Sequence, residues 1–318
     1  MKGIFTALLT PFKDDYSINE ASLKKLVEFN LEKGINGFYV GGSTGEGLIM
    51  TSDERKEVFR IVKEAAGDKV PLIAHCGSIS TDEAISMAKT AEALGYDAVS
   101  AVAPLYYGFS FPAIRKYYDD IVSSGVSGCV TDGPFLWRTA DGTLLCLWAS
   151  FSEGGYTEAV AVSDNGGGSG VTFTADYAAE MFKDERYMGI KHTSADLYTL
   201  HQFKQKIERP VTVFNGFDEM CLGGLAMGAD GAIGSTYNFM GDKFIKIFNA
   251  FNAGDMETAQ AIQTEANEII AEMIKYTVLP CEKAIMTHLG IDCGPCRRPF
   301  LPLTKEADEA MARIAASL

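Results

Sequence analysis

The sequence predicts an α/β fold, a (β/α)8 TIM barrel with a C-terminal helical extension. Short apolar runs alternate with amphipathic helical runs, and the first four apolar runs begin at residues 3, 35, 70 and 97. Because strands that alternate with helices at this spacing form βα units, they predict a parallel sheet covered on both faces. A chain of 318 residues can also bury one large core without disulfides or metals.

Seven segments qualify as barrel strands, one fewer than the eight that close a barrel. Two helices between them have clear boundary signals, because Thr51 and Ser80 are N-cap residues followed by acids and Gly67 and Gly95 end the runs. The seven strand candidates are Gly3–Leu9, Ile35–Val40, Val70–His75, Asp97–Val102, Tyr187–Lys191, Val211–Phe214 and Gly231–Gly234.

The missing strand falls in the long gap between residues 97 and 187, which holds two βα periods and a surplus of about thirty residues. Residues 126–169 have no helical period, and they include both tryptophans, Trp137 and Trp148. A turn at 141–142 between Pro134–Arg138 and Leu144–Trp148 predicts a β-hairpin. We interpret this as a β-hairpin insertion in place of the normal strand-five segment, with Ala159–Val162 as the fifth barrel strand.

A change of pattern near residue 241 suggests where the barrel ends. Gly241 and Asp242 predict a turn, and the sequence beyond it is wholly helical. The predicted organisation is a barrel over residues 1–240, with residues 126–169 inserted in it, followed by C-terminal helices over residues 241–318.

Composition excludes several classes of function. Lys and Arg number 28 against 42 Asp and Glu, and the net charge of −14 disfavours nucleic acid and anionic membrane surfaces as partners. No apolar run approaches the 18 residues of a membrane span, and no signal peptide is evident. Seven scattered cysteines, an odd number, indicate reduced thiols and a cytoplasmic protein.

Lys191 is the leading candidate for chemistry, because it ends an apolar strand. The C-terminal ends of barrel strands form the active-site edge, where a lysine amine can attack a carbonyl carbon. A strand-end lysine that merely reaches solvent or a salt bridge is the alternative, and position alone favours it.

Three other segments follow strands at the same predicted edge. Residues 41–46, Gly-Gly-Ser-Thr-Gly-Glu, combine backbone N–H groups with the Ser43 and Thr44 hydroxyls and suit a carboxylate or phosphate. Asp218, Glu219 and Ser235 follow later strands and could hydrogen-bond a polyhydroxylated substrate. A tight turn and helix capping are the structural alternatives for these segments.

Cys293 and Cys296 form a C-x-x-C pair, which raises the question of a redox or metal site. The pair lies between predicted helices and not after a strand, so the context does not favour a thioredoxin-like dithiol. His288 would supply only a third ligand, so a zinc site is also weak and no metal is expected.

Four motifs occur in one order along the chain: Gly-Ser-Thr-Gly-Glu at 42–46, Gly-Ile-Lys-His-Thr-Ser-Ala-Asp at 189–196, Phe-Asn-Gly-Phe-Asp-Glu at 214–219 and Gly-Ser-Thr-Tyr-Asn at 234–238. Together they resemble the N-acetylneuraminate lyases of the dihydrodipicolinate synthase superfamily. The resemblance covers residues 1–125 and 170–318. It implies a TIM barrel that cleaves sialic acid to pyruvate and N-acetylmannosamine without a metal or organic cofactor.

The resemblance also implies roles for individual residues. Lys191 would form a Schiff base with pyruvate or open-chain sialic acid, and Tyr106 would reach the active site of a neighbouring subunit in a homotetramer. The implied pyruvyl carboxylate ligands are Ser43 and Thr44, and the implied sugar ligands are Thr193, Gly216, Asp218, Glu219 and Ser235.

One motif of these lyases is missing. They carry Tyr-Asn-x-Pro on the fifth strand, and its tyrosine shuttles a proton during cleavage, but residues 125–170 contain no such motif. Counting back from Ser169–Gly170 puts Ser163 in the tyrosine's place, and nothing places Tyr156, the only tyrosine of the segment, correctly. A serine is a poor acid–base substitute for a phenol, so the resemblance implies impaired catalysis.

The segment from Asp132 to Phe151 itself resembles one blade of the five-bladed propeller glycosidases, with Asp132 in place of their general acid. A single blade cannot assemble a propeller active site, so the chain resembles a chimera. Impaired lyase activity is the leading hypothesis. A catalytically inactive barrel that acts as scaffold or keto-acid binder is the main alternative, and dihydrodipicolinate synthase-like or glycosidase activity ranks last.

Overall fold

In the computed structural model the predicted barrel closes. The structure describes residues 1–104, 109–124, 129–133, 135–138, 144–147, 160–162 and 174–318. The parallel barrel strands, in spatial order, are β1 (Gly3–Ala7), β2 (Gly37–Val40), β3 (Leu72–His75), β4 (Ala98–Val102), β5 (Cys129–Gly133), β9 (Tyr187–His192), β10 (Thr212–Asn215) and β11 (Gly231–Gly234). Strand β11 pairs with β1 and closes the barrel.

Helices connect these strands and continue beyond them. The α-helices are α1 (Glu20–Glu32), α2 (Ser52–Ala66), α3 (Thr81–Ala93), α4 (Phe111–Val122), α5 (Ala175–Met181), α6 (Leu197–Lys206), α7 (Cys221–Ala226), α8 (Tyr237–Asn252), α9 (Met256–Ile274), α10 (Val278–His288) and α11 (Lys305–Ser317). The predicted boundaries of α2 are confirmed: Thr51 forms a reciprocal capping box with Glu54, and Gly67 is the C-cap.

The interpretation of Ala159–Val162 as the fifth barrel strand is wrong. Strand β5 takes that place between β4 and β9, about one βα period after β4 begins, so the normal spacing is kept up to residue 133. Residues Val160–Val162 form β8, the edge of an antiparallel sheet with β6 (Phe135–Arg138) and β7 (Leu144–Leu147). The predicted hairpin pairing is therefore present, but it follows barrel strand five instead of replacing it.

The predicted turn at Gly241–Asp242 is also wrong. Helix α8 runs through both residues, and the chain departs from helical geometry only at Met240. Gly241 is buried, and a Cβ there would lie 3.1 Å from Ile35, so the glycine permits close packing against the barrel instead of ending a helix. The division of the chain at residue 240 stays a prediction.

The core has two parts. Side chains from β1 to β4, β10 and β11 fill the barrel interior, where the Phe5 and Phe214 rings lie 5.1 Å apart. A larger cluster lies between the strands and the surrounding helices, including α8, α9 and α10. Within the described part of the chain, no helix is long and apolar enough to cross a membrane.

Candidate active site

Most of the predicted site residues lie at the C-terminal edge of the barrel. Lys191 belongs to β9, residues 41–46 follow β2, residues 216–219 follow β10, and Ser235 follows β11. Because the carboxyl ends of all parallel strands share one edge, these four segments face a common space.

Lys191 is half-buried inside this edge. Its Nζ lies 5.0 Å from the ring centroid of Tyr39, whose hydroxyl shares a 2.9 Å hydrogen bond with Ser100. Its register partners are Phe214 on β10 and Asp132 on β5. The lysine therefore lies among an aromatic ring and two strand ends, and not on an outer face.

The loop of residues 41–46 presents two hydroxyl-bearing residues at its tip. Ser43 is exposed and Thr44 half-buried, whereas the glycines on either side are buried. Gly41 has a φ of +73°, and a Cβ on Gly47 would collide with the Gly41 carbonyl. The tight backbone thus requires glycine and leaves the Ser43–Thr44 tip accessible to a ligand.

Glu46 fixes the end of this loop. It adopts a left-handed conformation with a φ of +58°, and its carboxylate lies 2.5 Å from Lys283 Nζ. The second carboxylate oxygen accepts a 2.6 Å hydrogen bond from the Arg297 backbone N–H. The side chains of Glu46 and Lys283 are almost fully buried, so this ion pair ties the loop to helix α10.

Asp218 is a buried carboxyl with one satisfied oxygen. Its Oδ2 accepts hydrogen bonds of 2.9 Å from the Thr236 backbone N–H and 2.7 Å from the Thr236 hydroxyl, while Oδ1 is buried without a hydrogen-bond partner in the described structure. Burial raises the pKa of Asp218 to about 6, and the Lys191 charge opposes that shift. Lys191 and Asp218 are therefore close enough to influence each other.

Thr193 and Gly216 pack against each other beside Asp218. The Thr193 hydroxyl is buried without a partner among the described residues, and a Cβ on Gly216 would collide with it. Glu219 is half-buried, and its backbone carbonyl accepts a 3.2 Å hydrogen bond from Asn267. Two unpartnered buried oxygens, on Thr193 and Asp218, thus occur in this part of the edge.

Ser235 lies close to an acid that sequence reasoning missed. The carboxyl of Glu282 on α10, a side chain that is 1% exposed, lies near the Ser235 hydroxyl. Burial raises the pKa of Glu282 to about 8, and the nearby Asp218 adds to the shift. The sequence feature that could have revealed Glu282 is an acid within the apolar run of residues 278–286, on a helix that must pack against the barrel.

Other candidates are not brought into this site. Tyr106, Ser163 and Tyr156 lie outside the described residues. Cys293 is buried and Cys296 half-buried, and burial raises the pKa of each thiol to about 12, which disfavours thiolate chemistry. No group of three potential metal ligands occurs within the portion that the structure describes.

A lysine inside the carboxyl edge of a barrel, beside hydroxyl and carboxyl groups, is the arrangement of a class I, Schiff-base aldolase. The model of the dihydrodipicolinate synthetase family matches residues 1–144 and 156–318. The chain belongs to this family.

Individual relatives narrow the comparison. The N-acetylneuraminate lyase of Rhizobium meliloti (strain 1021) is 38% identical over 315 residues, which cover 99% of this chain and 94% of the relative. The structure of CdNal from Clostridium difficile in complex with mannosamine superposes with a TM-score of 0.86 at 32% identity, covering 100% and 99% of the two chains. The structure of N-acetylneuraminate lyase from Fusobacterium nucleatum complexed with pyruvate superposes with a TM-score of 0.83 at 31% identity, covering 100% of this chain and 97% of that chain.

Proposed function

We propose that the protein is a Schiff-base lyase that cleaves N-acetylneuraminate to pyruvate and N-acetylmannosamine. The observation that carries the proposal is the position of Lys191 at the carboxyl edge, opposite the Ser43–Thr44 tip and beside Asp218. The relatives crystallised with mannosamine and with pyruvate support this choice of substrate, because the two ligands resemble the two halves of sialic acid.

The reaction uses Lys191 as nucleophile. Its amine adds to the ketone carbon of open-chain sialic acid and water leaves, which gives a protonated imine. A water molecule in the site takes the proton of the C4 hydroxyl, the C3–C4 bond breaks, N-acetylmannosamine leaves as an aldehyde, and the electron pair moves into the imine to form an enamine. Protonation of the enamine carbon and hydrolysis then release pyruvate and restore the lysine.

The remaining groups bind the substrate. The Ser43 and Thr44 hydroxyls and nearby backbone N–H groups bind the pyruvyl carboxylate. The unpartnered oxygens of Thr193 and Asp218 accept hydrogen bonds from sugar hydroxyls. Gly216, Glu219 and Ser235 complete the sugar-binding wall at the ends of β10 and β11.

We also propose that cleavage is slow. The sequence of strand β5 provides no tyrosine, and its residue in register with Lys191 is Asp132. Loss of a positioned general acid–base group costs roughly 10²- to 10⁴-fold in rate. Turnover as fast as that of the Rhizobium meliloti relative, measured side by side, would contradict this part of the proposal.

The first test traps the Schiff base. The protein is incubated with pyruvate and borohydride, and intact mass is measured for the original chain, for Lys191→Ala and for Lys246→Ala, which removes an exposed lysine on α8. We expect a reduced pyruvyl adduct on the original chain and on Lys246→Ala, and none on Lys191→Ala. An adduct that persists in Lys191→Ala would exclude this lysine as the nucleophile.

The same assay separates the alternatives. A Lys191-dependent adduct without release of N-acetylmannosamine from sialic acid would favour the keto-acid binder, and a folded protein without an adduct would leave only a scaffold. The propeller blade is not carried into the proposal, because the family match continues to residue 144 and a propeller site needs carboxylates from several blades.

Assembly and location are part of the proposal. We propose a cytoplasmic homotetramer, in which Tyr106 contributes to a neighbouring subunit's site. Cys76, Cys221, Cys281, Cys293 and Cys296 are free thiols in the structure, which suits a reducing compartment. Light scattering of the purified chain is expected to give the mass of four copies, and a monomeric mass would contradict the assembly.

A further inference from the structure

Two amide side chains on helix α9 have no role in the proposed reaction. Gln263 is 8% exposed and Asn267 is half-buried. Residues four positions apart share one face of a helix, so the two amides lie side by side, and a 2.9 Å hydrogen bond from Gln263 to Asn267 joins them. Burying an amide costs free energy unless it is hydrogen-bonded, so the other partners of this pair show what the pair holds.

Those partners are backbone groups of the segment that follows β10. Gln263 Nε2 donates a 3.1 Å hydrogen bond to the Asp218 carbonyl, and Gln263 Oε1 accepts a 3.0 Å hydrogen bond from the Leu222 N–H. Asn267 Nδ2 donates a 3.2 Å hydrogen bond to the Glu219 carbonyl. Because carbonyls only accept and N–H groups only donate, these partners fix which way each amide points.

These contacts hold a segment that has little structure of its own. Residues Asp218–Met220 form one turn of 3-10 helix, whose hydrogen bonds have poorer geometry than those of an α-helix. The Leu222 N–H belongs to the first turn of α7, where backbone N–H groups have no partner within the helix. The amides of α9 therefore supply bonds that neither the turn nor α7 provides.

The side chains of the same turn belong to the candidate site. Asp218 and Glu219 are proposed sugar ligands, and Asp218 is held at both ends, its carboxylate by Thr236 and its carbonyl by Gln263. A displacement of the turn would change the direction of both acids. Misplacement of a binding group by about 1 Å can cost roughly a hundredfold in activity.

We propose that Gln263 and Asn267 are positioning residues that hold the Asp218–Glu219 backbone and thereby set the affinity for the polyhydroxylated part of the substrate. This inference rests on the proposed function. The amides act at the end of β10, whereas the pyruvyl carboxylate binds at the loop of residues 41–46, which α10 anchors. Loss of the amides should therefore weaken binding of the sugar chain and leave binding of the pyruvyl part unchanged.

The test compares two keto acids that both react at Lys191. Initial rates of reductive trapping by cyanoborohydride give a half-saturating concentration and a maximal rate for N-acetylneuraminate and for pyruvate, which lacks the polyhydroxylated chain. Gln263→Met keeps the length of the side chain but removes its amide. We expect it to raise the half-saturating concentration of N-acetylneuraminate roughly tenfold, the effect of about one hydrogen bond to a charged group. Its maximal rate and both values for pyruvate should remain those of the original chain.

A second variant tests the other amide. Asn267→Ala should raise the half-saturating concentration of N-acetylneuraminate by a smaller factor, roughly threefold, and alanine favours the helix, so folding is retained. Adding Asn267→Ala to Gln263→Met should have less effect than Asn267→Ala alone, because a hydrogen bond joins the two amides.

Two control variants separate positioning from general effects on α9. Gln260→Met makes the same substitution at an exposed position one turn earlier in the helix. Ile270→Val reduces packing on the buried face of α9 but keeps both amides. Both controls should keep the half-saturating concentrations of the original chain.

The possible failures are distinct. Unchanged values for N-acetylneuraminate in Gln263→Met and Asn267→Ala, or equal rises for both keto acids, would overturn this inference but leave the proposed function standing. If Gln263→Met does not fold, Asn267→Ala decides between the same outcomes. The absence of any lysine-dependent adduct on the original chain would overturn the proposed function, and the inference with it.

Discussion

Gly216 lies where strand β10 ends, and the site depends on its small size. A Cβ at this position would collide with the Thr193 hydroxyl and come within 2.9 Å of the Thr193 Cα. We expect Gly216→Ala to destabilise the protein by about 1–3 kcal/mol through overpacking and to weaken binding of N-acetylneuraminate, measured by urea unfolding and by the trapping assay. Gly223→Ala is the control, because a Cβ there meets only the flexible end of Leu197.

Glu282 also makes stability depend on pH. Its pKa is about 8 in the folded protein and near the usual 4.5 in the unfolded chain, so the folded state binds more protons between these values. Its contribution to stability is therefore present below pH 4.5 and lost as pH rises toward 8, by about 1 kcal/mol per pH unit. We expect Glu282→Gln to flatten the dependence of urea-unfolding free energy on pH in this range. The exposed Glu309→Gln should leave it unchanged.

At the scale of elements, the start of α2 is held by a cap and an ion pair together. Glu54 accepts a 2.8 Å hydrogen bond from the Thr51 backbone N–H and pairs with Arg297 at 2.6 Å, and these contacts lower its pKa to about 2. A lowered pKa stabilises the fold above the unfolded value near 4.5, and that contribution disappears as pH falls toward 2. We expect Glu54→Gln to cost about 1–2 kcal/mol at neutral pH.

Urea unfolding at neutral and acid pH measures this cost, which should shrink below pH 4.5. Glu57→Gln, in an exposed pair on the same helix, is the matched control and should cost little at either pH. If Glu54→Gln lowered the free energy of unfolding equally at neutral and acid pH, packing and not charge would account for the contribution of Glu54.

The sequence predicts the ends of helix α2 well, because the contacts that cap a helix join residues close together in the chain. The cap at Thr51 and the C-cap at Gly67 can be predicted because capping joins residues that are adjacent in sequence. The fifth barrel strand could not be assigned in this way. Residues 129–133 are short and followed directly by a hairpin, and only pairing with β4 and β9, distant in sequence, distinguishes them from Ala159–Val162.

For the whole molecule, the same distinction separates the parts of the site. Lys191 and Asp218 could be predicted because barrel geometry brings every strand end to one edge. Glu282 and the Lys283–Glu46 pair could not, since they depend on how α10 packs against loops that are distant in sequence. Glu46 lies more than two hundred residues before Lys283, and Ser235 lies forty-seven residues before Glu282. The helical extension therefore contributes a buried carboxyl and one partner of a buried ion pair, which its sequence pattern does not indicate.

The pair of Glu46 and Lys283 connects the barrel with that extension, and its removal should affect both stability and the site. Removing one partner of a buried pair leaves the other charge uncompensated, which typically costs roughly 3–5 kcal/mol. We expect Lys283→Met to lose this much in urea unfolding and to weaken pyruvate trapping, because Glu46 anchors the loop that carries Ser43 and Thr44. Adding Glu46→Gln to Lys283→Met should recover part of the stability, since no buried charge then remains. The pair would have no such structural role if Lys283→Met unfolded at the same urea concentration as the original chain.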